Sequence, residues 1–68
     1  MELTLTQHLE RPAFMVICDG ECDQICGSRA EAERERRDLK RMGYWRVTIK
    51  DFASWEDAHD YEDKLNAR

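Results

Sequence analysis

The sequence predicts a small α+β domain with element order β-β-α-β-α, and three observations carry that prediction. Apolar residues run unbroken from Ala13 to Cys18 and stop at Asp19-Gly20. Two later segments each open on a serine with an acid three residues on, Ser28 with Glu31 and Ser54 with Asp57. Between them, Tyr44–Ile49 sets Trp45, Val47 and Ile49 against Arg46, Thr48 and Lys50 in strict alternation.

The first strand is expected at Phe14–Cys18, a run of β-formers bounded upstream by Pro12. Asp19-Gly20 then predicts a two-residue hairpin turn, because both turn positions tolerate positive φ. A short returning strand follows at Cys22–Cys26, with Asp23 and Gln24 acceptable on a sheet edge. Ser28 is a good N-cap and Glu31 completes a capping box, so a helix starts there. That helix runs to about Met42 and stops at Gly43, which can adopt the left-handed conformation that ends helices. The alternating segment makes a half-buried third strand. Ser54 caps a second helix, with Trp55, Ala58, Tyr61, Glu62 and Leu65 on one side. Ser28, Glu31, Ala32 and Leu39 share their spacing with Ser54, Asp57, Ala58 and Leu65. The shared spacing suggests two helices docked alike.

A right-handed crossover makes the third strand parallel to the second. The first strand alone is apolar on both faces, as a central strand should be, so the expected sheet order is 2-1-3. Both helices are expected on one face. That would leave either Phe14, Val16 and Cys18 or Met15 and Ile17 uncovered, making Phe14, Met15, Val16 and Ile17 a candidate protein-binding face. Residues 13–68 form the single domain. Residues 1–12 read as a further strand or a flexible arm, with Leu3, Leu5 and Leu9 available to fold over the open face.

Sixty-eight residues allow one domain, and a chain this short buries only ~60% of the surface it exposes when unfolded. No signal peptide or membrane-spanning run is visible, so the expected setting is cytoplasmic. An odd number of cysteines there argues for free thiols. The net charge of −4 is split along the chain: residues 1–28 and 51–68 are acidic, and residues 29–50 are basic. Such a balance disfavours general nucleic-acid binding and allows a local anion contact.

Cys18, Cys22 and Cys26, spaced four apart, invite a zinc reading with His8 as fourth ligand. Structural zinc normally draws two close cysteine pairs, and this chain has one stretched triplet, so no metal and no cofactor are expected. Arg34, Arg37 and Arg41 project from the first helix opposite its buried side and form a candidate anion site, since arginine presents planar paired donors to phosphate. The competing reading is a solvated face laced with Glu33–Arg37, Arg34–Asp38 and Asp38–Arg41 ion pairs. Neither histidine, His8 or His59, is matched with a nucleophile, and no glycine-rich phosphate loop exists. An enzyme is therefore not expected.

The layout of a hairpin, a Ser-x-x-Glu-Ala helix and a Gly-Tyr-x-x-Val-x-Ile strand resembles short accessory proteins of phage, prophage or plasmid origin. The resemblance covers about half the chain and implies a small protein that binds a larger one. The expected function is a non-enzymatic interaction module whose partner is another protein or a second copy. Anionic-ligand or nucleic-acid binding through the first helix is the alternative.

Overall fold

A computed structural model describes residues 10–67. Its elements are β1 (Ala13–Cys18), β2 (Glu21–Cys26), α1 (Arg29–Arg41), β3 (Val47–Phe52) and α2 (Trp55–Asn66). The sheet order is β2-β1-β3, and both outer strands run antiparallel to β1. The predicted α+β class, element order and strand order all hold. The expected arm at residues 1–12, with its leucines, lies largely outside the described residues.

Local chemistry explains most boundaries. Asp19 and Gly20 have φ of 53° and 82°, the pair of positive values a tight hairpin turn requires. The Ser28 and Ser54 side-chain oxygens each accept the backbone N–H three residues on, at 3.2 Å. Each cap thereby satisfies a donor that the first helical turn leaves bare. At the far end of α1, Gly43 at φ 103° donates its N–H to the Lys40 carbonyl, and Tyr44 donates to that of Leu39. This is the Schellman arrangement. It consumes residues 43 and 44, so β3 begins at Val47 rather than at Tyr44 as the alternation suggested. Trp45, expected beside Val47 and Ile49 in the buried row, is instead 79% exposed.

The helices do not share a face. Val16, flanked by Phe14 and Cys18, packs with Cys26, Val47, Ala32 and Leu39 under α1. Ala13 and Met15, with Ile17, pack with Phe52, Ala58, Tyr61 and Leu65 under α2. The expectation of two helices on one face is therefore corrected to one helix on each. The physical reason lies in β1, whose alternate residues form two apolar sets pointing in opposite directions. A helix can cover one set, and α1 is committed to the Val16 side by the crossover from β2 to β3. Covering Met15 falls to α2. The shared spacing of the helices still has a meaning, because Ala32 and Ala58 are both 0% exposed. Each places a small residue in the first turn, where the helix closes against the sheet.

Leu39, at 6% exposure, anchors the α1 side, whereas Leu65 is only half-buried on the α2 side. Leu39→Ala is expected to cost about 2–5 kcal/mol in a urea titration, with Leu65→Ala well below it. Equal losses would show that the α2 contact is as tight as that of α1.

Candidate functional site

The four residues of the candidate sheet-face site lie in the interior. Met15 and Val16 are 0% exposed, and Phe14 and Ile17 are half-buried beneath opposite helices. The open face on which that site depended is covered by α2, so Met15 and Val16 form core and Phe14 and Ile17 keep only part of their surface.

The three thiols do not converge. Cys18 and Cys26 pack on the α1 side and Cys22 on the α2 side. A register shift in the hairpin explains the split: Val16 pairs with Gln24 but Ile17 with Cys22, leaving Asp23 as the extra residue of a bulge. Among the described residues no group of three metal-binding side chains comes together. His8 lies outside them, and His59 sits on α2 with Nδ1 3.6 Å from Glu62 Oε1. Burial is the main cause pushing all three thiols above their ordinary value, with nearby carboxylates adding to it. Cys22 is pushed up to about 11 by burial and then by its hydrogen bond to Glu62.

Helix α1 carries its charge in lateral order. At 3.6 residues per turn, Glu31, Glu35 and Asp38 lie on the flank toward β2, while Arg29, Arg36, Arg37 and Lys40 lie toward β3 together with the one remaining acid of the helix, Glu33. One contact fixes the orientation: Arg29 reaches Asp51 of β3 at 3.2 Å, and on the other flank the Glu35 carboxyl is raised by burial and by Asp23 of β2. Glu33 pairs with Arg29 at 3.7 Å and Arg36 at 3.6 Å. The expected Glu33–Arg37, Arg34–Asp38 and Asp38–Arg41 pairs do not form. Exposed pairs gain little over water, so the neighbours supplied by the fold decide which ones close. Arg34, Arg37 and Arg41 are exposed and have no ion pair among the described residues.

Sequence reasoning missed a different surface, the segment from Met42 to Arg46. Met42 is 70% exposed, Tyr44 44% and Trp45 79%. The backbone beneath them is pinned on both sides, by the Schellman bonds and by the Asp19 N–H donating to the Arg46 carbonyl at 3.0 Å. The Arg46 guanidinium stands over the Trp45 ring, 5.6 Å from its centre. Beside this projection lies a cleft of about 320 Å³ with Cys18, Leu39, Met42 and Tyr44 among its lining. Asp19, Glu21 and Asp23 supply its acidic part. The signal available in the sequence was Gly43, whose cap uses up the residues that the alternation assigned to a strand.

Comparison with protein-family models, curated proteins and solved structures gives no match to this chain. The likeness to phage and plasmid accessory proteins gains no support from them. No helix among the described residues is long and apolar enough to cross a membrane.

Two measurements test the electrostatics of this region. Iodoacetamide at pH 7.5 is expected to label Cys22 about tenfold or more slower in the folded protein than in urea, because its thiolate fraction falls with the raised value. The second concerns Glu35, whose carboxyl is raised by burial, by the hydrogen bond to Asp23, and by the charges of Asp23 and Asp38. A raised acid contributes stability that is full below its unfolded value and is lost as pH rises through its folded value. Glu35→Gln is therefore expected to raise the melting temperature more at pH 7 than at pH 4. An equal shift at both would exclude the pair as a source of strain.

Proposed function

We propose that this protein is a non-enzymatic binding module that engages a protein partner through the Met42–Arg46 end. The observation that carries the proposal is Trp45, an indole left in water on a backbone fixed at both sides. Burial of an aromatic this size is worth on the order of several kcal/mol at ~25 cal/mol per Å², so the fold forgoes a large stabilisation here. Protein-binding hot spots are enriched in Trp, Tyr and Arg, and here Tyr44, Trp45 and Arg46 stand side by side. A pinned aromatic also loses little conformational freedom on binding. The contact surface replaces the sheet face, which α2 has covered.

One observation favours a second reading. Arg34, Arg37 and Arg41 are exposed and free of internal ion pairs among the described residues. A phosphate-bearing ligand would find its donors uncommitted. Against this, the acidic cleft beside Tyr44 would repel an extended polyanion that reached the aromatic end.

Affinity capture from native lysate, with and without nuclease, separates the two. The expected result is a protein partner that survives nuclease, weakens about tenfold or more with Trp45→Ala, and is indifferent to replacing the three arginines by alanine. Loss on nuclease treatment and in the arginine variant would reverse the ranking.

A further inference from the structure

The end of the molecule that projects Trp45 also contains the recess to receive it. The cleft holds about 320 Å³, at the small end of the range for ligand sites and suited to one large side chain. Its apolar part comes from Cys18, Leu39, Met42 and Tyr44, and its negative charge from Asp19, Glu21 and Asp23. None of these three acids is in an ion pair among the described residues. The occupant that fits is an apolar side chain accompanied by a cation. Trp45 and the Arg46 guanidinium above it are such a pair.

We propose that the cleft of one chain takes Trp45 and Arg46 of a second copy, reciprocally, in a two-fold dimer. The inference rests on reading this end as a protein-binding surface and names the partner. Three arguments converge on a second copy. Charge is complementary within a single chain: a cation beside the indole, and uncompensated carboxylates in the recess. Position is complementary too, because Met42 and Tyr44 line the cleft next to Trp45, so one two-fold axis at this end satisfies both contacts at once. Finally, a chain of this length with two thin cores is the kind of scaffold that gains stability by association.

The edges of the sheet are poorer places to associate. β2 carries the Asp23 bulge and its acids, and β3 carries Lys50, whose ammonium lies 5.2 Å from the Tyr61 ring centre. Bulges and edge lysines discourage strand addition.

A charge exchange tests the dimer. Light scattering of the wild-type protein is expected to show a mass rising to twice that of the chain, and falling back as salt is added. Arg46→Glu places an acid against an acidic cleft, and the double variant Glu21→Arg with Asp23→Arg places Arg46 against a basic one. Each is expected to be monomeric alone, with dimer affinity down about tenfold or more. Mixed, the two variants are expected to form a heterodimer, since both contacts then join opposite charges. Heterodimer formation also shows that both variants are folded. Trp45→Ala, at an exposed position that the fold does not need, is expected to abolish association while leaving the melting curve of the monomer unchanged. The proposal is overturned by a wild-type monomer up to about 0.5 mM, well above the dissociation constants of specific dimers. It is equally overturned by dimers that ignore Arg46→Glu or Trp45→Ala, or by variants that do not associate on mixing. A monomer that still captures a nuclease-resistant protein through Trp45 would refute the second copy and leave the binding module standing. A monomer that captures nothing would remove both.

Discussion

Strand β1 is apolar on both faces, and the architecture is the consequence. Ala13, Met15 and Ile17 point one way, and Phe14, Val16 and Cys18 the other. A strand of that kind is stable only when each face is sealed, so it takes the centre of the sheet and draws a helix to either side. Three layers are then built from a chain that has material for little more than two. Each core is correspondingly thin, with Val16, Leu39 and Val47 in one and Met15 with half-buried neighbours in the other. Fully buried alanines in the first turn of each helix suit this economy, because a small side chain lets the helix approach the sheet closely where there is little to fill the gap. With both faces sealed, contact with anything else falls to the flanks, the edges and the ends.

The legible parts of this fold were those decided by neighbouring residues. Turn geometry at Asp19-Gly20 and the serine caps at 28 and 54 are fixed by chemistry within four residues, and so they could be read directly. Strand order followed from the same double-sided β1 that dictates the helices, yet the face taken by α2 was misjudged. The crossover constrains α1 alone, and nothing in residues 51–68 states which side of the sheet they seek. The clue was in β1 and concerned both faces equally. At the candidate site, helical spacing revealed that Arg34, Arg37 and Arg41 stand outward, but not which ion pairs close. Arg29 finds Asp51, a residue 22 positions away that sequence spacing cannot bring to mind. Trp45 was missed because alternation assigned it to the row of Val47 and Ile49, whereas backbone bonds within the helix cap had already claimed the residues before it.

Charge that looks like a simple succession along the chain becomes a sidedness in three dimensions. The acids of the β2 edge meet the acids of α1, and the Glu35 carboxyl is pushed up by burial first and then by Asp23 and Asp38 beside it. On the opposite flank of α1, Arg29 turns toward β3, where Asp51 answers it. Like charges gathered at the β2 edge reduce stability at neutral pH, but they also guard that edge from further strand pairing. The same clustering leaves the cleft beside Leu39 with a negative rim. An apolar recess under such a rim discriminates among visitors, admitting hydrophobic groups that arrive with a positive charge and opposing those that do not.

Why Trp45 is exposed has a structural answer, and why it is a tryptophan does not. Cys18 is the last residue of β1 and pairs with Val47, and the chain then turns away at Asp19. The Asp19 N–H closes on the Arg46 carbonyl, so residue 45 lies beyond the last rung of the ladder. On the other side, Gly43 and Tyr44 are bound into the end of α1. No arrangement of the sheet as built offers position 45 a partner strand or a core, and a polar residue would satisfy the fold there at least as well. An indole in that place adds a tendency to associate that solvent-facing loops ordinarily avoid. The fold thus accounts for the position and leaves the side chain unexplained, and a surface residue that stability does not require is the kind whose identity is set by what it contacts.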